Sequence, residues 1–193
     1  MGSKGVLLQG YRVRLRPFEP DEAASHYPWD QGGELAQRSD VPWLPAAPAR
    51  LPRWTGAPPR VAREGDAVQF LVETVEGEPA GMIGTHDCDR RNGTFSYGVA
   101  IRETHLRQGF GAEAILLVCR YYFEELRYQK VSTGVYSYNE PSLRLHERLG
   151  FECEGCLRRM VHTGGHFYDR VLFGLTAEEF AQRHAASLPR ADQ

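Results

Sequence analysis

His105-Leu106-Arg107-Gln108-Gly109-Phe110-Gly111-Ala112-Glu113-Ala114 joins a polar turn to the start of an amphipathic helix, and the rest of the chain is read outward from it. Glycines at 109 and 111 let the backbone approach a ligand closely. The first turn of the following helix leaves its N–H groups without intrahelical acceptors. Those donors, with the positive end of the helix dipole, suit a pyrophosphate, and Arg107 adds a cation for a charge-assisted contact. The cradle comprises Arg107, Gln108, Gly109, Phe110, Gly111 and Ala112. Gly109 to Ala114 also fits a dinucleotide fingerprint, but there the glycines follow the strand directly, whereas residues 102–108 intervene here. The next strand ends at Tyr138-Asn139, where an acid should receive a ribose, so a dinucleotide-binding protein is the weaker reading. No Gly-Lys-Ser/Thr follows, which excludes a Walker loop.

Upstream of this loop the chain reads as a meander. Tyr11 to Arg16 alternates as a half-buried strand and Pro17 stops it. Pro20 to Ala24 opens a short helix. Residues 41–59 hold six prolines with Trp43 and Trp54 among them, which predicts an irregular loop. Val68–Val75 and Pro79–Thr85 form a hairpin across Glu76-Gly77-Glu78. Asp89 to Gly93 turns again into a strand over Thr94–Ile101. Downstream, Ala112–Leu126 is helical, with Ile115, Val118, Cys119, Tyr122 and Leu126 on one face. Lys130–Tyr138 is a strand, Asn139–Leu149 a helix stopped by Gly150, and Phe151–Arg159 and Tyr168–Leu175 are closing strands around Gly164-Gly165. This order predicts an α/β (α+β) fold: a mixed, mostly antiparallel sheet with helices packed on it. One domain over residues 1–193 accounts for the chain, with a core over about 11–176 and a C-terminal tail over about 177–193.

Asn139-Glu140-Pro141-Ser142 starts its helix with an Asn cap and a first-turn proline. Asn139, Ser142 and His146 then share one stripe, and Ser142 and His146, four apart, can meet. In a mixed sheet the loop at 107 and the turn at 139 lie at the carboxyl ends of adjacent parallel strands, where ligands bind. A hydroxyl and an imidazole are thereby placed near whatever the loop holds by its phosphates. Read alone, the segment is a cap with a solvated histidine.

The net charge of −2, with acids and bases interspersed, excludes a dedicated nucleic-acid binder. No apolar run is long enough to span a bilayer and no signal pattern opens the chain, which predicts a cytoplasmic protein without a membrane partner. The lone Cys153-Glu154-Gly155-Cys156 reads as extended chain flanked by acids, hence reduced, partly buried thiols rather than a redox pair or a zinc site; no metal is expected.

Together the loop, the Asn139-Glu140-Pro141-Ser142 segment running to Leu149-Gly150-Phe151, and Phe167-Tyr168-Asp169 resemble the GNAT superfamily of acetyltransferases. Within it the chain resembles the group that acetylates ribosomal-protein N-termini and related amines. The resemblance covers Tyr11 to Leu175. It implies the acyl-CoA acyltransferase fold with helices on both faces, acetyl-CoA as co-substrate, and a primary amine as acceptor: a protein N-terminus, polyamine, aminoglycoside or small metabolite. Backbone groups of Val99, Ala100 and Ile101 would pair with the pantetheine arm, amides of 107–112 would hold the pyrophosphate, Asn139 would bond the pantetheine, and Ser142 would lie near the sulfur. An N–H at the end of the Ile101 strand would polarise the carbonyl. Ser142 or His146 would donate to the departing thiolate, His146 standing where many relatives carry tyrosine. Leu106 stands at the family's Gln/Arg position, with Arg107 one residue late. His86, Glu103, Tyr136 and Tyr138 are the candidate bases, none singled out, and residues 30–66 would select the acceptor. A module of the same fold that binds acyl-CoA without turnover is the alternative, and homodimerisation is left open.

Overall fold

A computed structural model describes residues 8–17, 65–184 and 187–189. The helix after Pro20, the proline-rich loop and most of the acceptor-selecting stretch lie outside these residues. In chain order the described elements are β1 (Leu8–Gln9), β2 (Val13–Pro17), β3 (Gln69–Thr74), β4 (Pro79–Asp89), β5 (Thr94–Ile101), α1 (Phe110–Arg120), β6 (Lys130–Tyr136), α2 (Glu140–Arg148), β7 (Glu152–Thr163), β8 (His166–Thr176) and α3 (Ala177–His184).

The strands form one sheet in the order β1-β2-β3-β4-β5-β6-β8-β7. Every neighbouring pair is antiparallel except β5–β6. That parallel step requires a crossover, which the loop after Ile101 and α1 supply. Phe95 stacks on Tyr122, just beyond α1, with ring centroids 4.1 Å apart. Tyr97, two residues on and so on the same sheet face, reaches His146 of α2. α1 and α2 therefore cover one face. Phe180 of α3 packs on the same side against Phe123, at 5.4 Å. No described helix covers the opposite face.

α1 starts two residues before the expected Ala112 because Gly109, left-handed at φ +87°, serves as its cap. It ends early too, passing at Tyr121–Glu125 into a π turn that buries both Tyr122 and Phe123. The stretch expected as a tail carries α3. Thr176 and Glu179 form a reciprocal capping box, Glu179 N–H to Thr176 Oγ1 at 3.3 Å and Thr176 N–H to Glu179 Oε2 at 2.8 Å. Phe180 and Leu188 are buried. Cys153 and Cys156 are both exposed rather than partly buried. They lie on β7, an edge strand whose hairpin stands off the core and exposes most of its side chains.

One long-range contact fixes the start of α1 to the first strands. The Glu113 carboxylate is buried and accepts three successive backbone N–H groups, from Tyr11 (2.8 Å), Arg12 (2.7 Å) and Val13 (2.8 Å). Replacing Glu113 by Ala strands those donors and is expected to cost about 3 kcal/mol. Glu113→Gln, which keeps one acceptor oxygen, is expected to recover part of that. Urea unfolding of the two variants against the parent checks the order.

Candidate functional site

β5 and β6 pair over three rungs, Thr94↔Lys130, Phe95↔Val131 and Ser96↔Ser132, and then part. A side-chain bridge spans the parting, from Thr133 Oγ1 to Tyr97 O at 3.3 Å. Because N–H and C=O of a strand residue point the same way and alternate along it, the backbone groups of Tyr97, Val99 and Ile101 face the gap. Those of Ala100 face β4 instead, where its carbonyl crowds Gly81 so closely that no side chain fits there. Of the three residues expected along a pantetheine, Val99 and Ile101 present their backbone to the gap and Ala100 does not, since it is spent on the β4 ladder.

The glycine loop lies at the open end of this gap. A short 3-10 turn, Glu103–His105, carries the chain out of β5. Arg107 (φ +61°) and Gly109 (φ +87°) are left-handed, and residues 107–109 are exposed. α1 has no side-chain N-cap, so the first-turn amides of Phe110, Gly111 and Ala112 receive no capping side chain. A Cβ at Gly111 would lie 3.3 Å from Ile101 Cγ1, so glycine permits the close approach of loop to strand. Phe110 packs on the His105 ring at 5.9 Å. A residue missed in the sequence enters from the other end of the chain: Arg12 Nη1 donates to Gln108 O at 3.1 Å and lies over Gly109. Its signal was the pull of Glu113 on its backbone, which spacing alone does not reveal.

On the β6 side, α2 begins as expected. Asn139 caps it, its side chain accepting from Ser142 N–H at 3.3 Å. Asn139 and Ser142 are half-buried at the helix start. His146 is not solvated: it is 2 % exposed, against Phe151 (5.2 Å) and Phe173 (5.4 Å). Its Nδ1 lies 2.7 Å from Ser142 O, which only accepts, so Nδ1 carries the proton. Nε2 therefore accepts from the Tyr97 hydroxyl at 2.8 Å. Burial lowers the imidazole pKa below its ordinary 6.5, opposed by the hydrogen bond to the Ser142 carbonyl. Burial likewise pushes the Tyr97 phenol well up. Ser142 Oγ is 3.5 Å from Nδ1, so the two residues meet, but the imidazole turns into the core one helical turn past the half-buried Ser142.

The face away from the described helices carries His86, Ser96, Gly98, Ser132, Gly134 and Tyr136, aligned by register and alternation. His86 Nδ1 lies 2.9 Å from Asp87 Oδ2. Tyr136 and Tyr138 stack at 5.6 Å, and Glu103 is exposed beside the glycine loop. Among the described residues no cluster of three His, Cys, Asp or Glu could hold a metal ion, and no helix is long and apolar enough to cross a membrane.

A family model described as Acetyltransferase (GNAT) domain matches residues 12–152. The chain is 40% identical over 175 residues to the SPbeta prophage-derived uncharacterized N-acetyltransferase YokL of Bacillus subtilis, covering 91% of this chain and 96% of that one. It is 30% identical over 107 residues to the phosphinothricin N-acetyltransferase of Streptomyces viridochromogenes, covering 54% and 58%. A spermidine N-acetyltransferase SpeG chimera from Vibrio cholerae and hSSAT shares the fold with a TM-score of 0.76, at 17% identity over 89% and 99% of the two chains. A strand pair that parts ahead of a glycine loop and an uncapped helix is thus seen in a chain that belongs to the GNAT family of acetyltransferases and is an acyltransferase.

Proposed function

We propose that the chain moves an acetyl group from acetyl-CoA to a primary amine, with the pantetheine arm lying in the gap between β5 and β6. The observation that carries this reading is the end of β5–β6 pairing at Ser96↔Ser132, directly upstream of an exposed loop whose amides have no side-chain cap. The free edge of β5 offers Val99 and Ile101 to the amides of the arm. The first turn of α1 offers its N–H groups to the pyrophosphate, with Arg107 beside it. Asn139 and Ser142 border the other wall. With α1 and α2 filling one face, the amine enters from the face that carries Gly98 and Gly134.

A thioester needs little help to expel its thiolate, so alignment supplies much of the rate. A backbone N–H on the gap-facing edge of β5 polarises the carbonyl. Ser142 donates a hydrogen bond to the leaving sulfur. His146, its one N–H committed to Ser142 O, serves as a positioning residue that fixes the first turn of α2 against Tyr97. The relatives are named for different amines, phosphinothricin and spermidine, so the acceptor is not inherited from family membership.

CoA or acetyl-CoA is expected to raise the melting temperature while NAD leaves it unchanged. Gly111→Val, which pushes a side chain into Ile101, is expected to abolish that rise in a folded protein; a rise with NAD alone overturns the reading. Ser142→Ala is expected to lower kcat about 10- to 100-fold with little change in the KM for acetyl-CoA. Free-thiol release with a panel of amines and peptides measures both.

His146 adds a pH signature. Its folded pKa lies below 6.5, so as pH falls past the ordinary value the unfolded chain takes up a proton that the folded core refuses. Stability then declines on acidification, by up to about 1.4 kcal/mol per pH unit for one proton. His146→Leu is expected to flatten that slope in urea unfolding measured from neutral to mildly acidic pH.

A further inference from the structure

The face by which the amine enters carries a cation that has no partner among the described residues. Arg170 lies on β8 opposite Tyr136 of β6, and its guanidinium rests on Gly134, two residues back along β6. A Cβ at Gly134 would meet Arg170 Cζ at 2.8 Å and Nη2 at 2.9 Å, so only glycine leaves room for the arginine to lie there. Gly134 is beyond Ser132, on the part of β6 that has left β5 and walls the gap. Arg170 Nε is buried and has no hydrogen-bond partner, and among the described residues its guanidinium makes no ion pair.

Neighbouring carboxylates are committed elsewhere. Asp169 accepts from Arg159 N–H at 2.8 Å, and Glu154 is paired with Lys130. Tyr136 stands opposite Arg170, and beyond it along the strands Tyr138 stacks on Tyr136 and meets Tyr168 edge-on at 4.9 Å. A partly buried guanidinium N–H without an acceptor is costly, and its planar fork is matched by a carboxylate.

Resting on the transfer reading above, we propose that Arg170 recognises a carboxylate borne by the same molecule as the reacting amine. The acceptor is then an amino acid or an acidic peptide rather than a polyamine. The guanidinium takes the anion through its two terminal nitrogens, Nε being enclosed on Gly134, with the carbon chain running toward Tyr136 and the amine reaching into the gap.

The test compares acceptors in pairs that differ by one charge: amino acids against their amides, and peptides with Glu or Gln near a free N-terminus, with spermidine as the cationic case. Free-thiol release is expected to favour the carboxylate member by about 10-fold or more in kcat/KM, as a charge-assisted pair would. The amino-acid and peptide arms separate the two sources of the anion. Arg170→Gln is expected to erase the preference and Arg170→Lys to keep part of it, while the affinity for CoA stays at the parent value in both. Equal rates within every pair, a preference for spermidine, or discrimination that survives Arg170→Gln overturns the inference and leaves the transferase reading standing. Absence of thiol release from every acceptor, in a protein that still binds CoA, overturns the transferase reading itself.

Discussion

Three rungs of parallel pairing between β5 and β6 hold the two halves of the sheet together, and the stop after the third opens the site. Had pairing continued along β6, the backbone groups of Tyr97, Val99 and Ile101 would be consumed by the ladder and no gap would exist. An interrupted ladder leaves polar groups that must be satisfied. Among the described residues, Tyr97 O finds its partner across the opening in Thr133. The Tyr97–His146 hydrogen bond lies where the rungs end and ties β5 to α2 through the core. The strands are thereby fastened at one end and spread at the other, and both walls of the gap keep a fixed relation without touching.

Much of this was legible in the sequence where local chemistry dictates local structure. β5 ran over Thr94–Ile101 as read, because a turn rich in Asp, Asn and Gly precedes it and a polar stretch follows. The Asn139 cap and first-turn Pro141 fixed the start of α2. The misses have a common cause, since each depends on what lies across from a residue rather than beside it. On its helix alone His146 reads as solvated, and beside the glycine loop as a candidate proton donor, yet Tyr97 and Phe173 come from distant strands to enclose it. Ala100 was grouped with Val99 and Ile101, though strand alternation sends its backbone the other way. α3 was the exception: Thr176 and Glu179 spell a capping box that was there to be read.

The sheet divides labour between its faces. One face is filled by apolar packing, with Phe95, Tyr97 and α1 forming a continuous core. The other carries Gly98 and Gly134 where side chains would otherwise stand. At Gly98 a Cβ would meet no described residue within 4 Å, whereas at Gly134 it would meet the Arg170 guanidinium. The two glycines thus do different work, one leaving the strand without a side chain beside the gap and the other a seat for a charge. Arginine suits that seat because its planar group can lie flat on a strand backbone while keeping edges free.

The Glu113 carboxylate also bears on how the chain is made. The amides it holds, at Tyr11, Arg12 and Val13, precede it by 102, 101 and 100 residues. On a ribosome adding about 5–20 residues per second, β2 can find β3 seconds before that acid exists. The turn ahead of β2 then waits unfastened, and Arg12 with it, until α1 has emerged. The glycine loop is therefore finished late, as one of the last joints between the earliest and the middle thirds of the nascent chain.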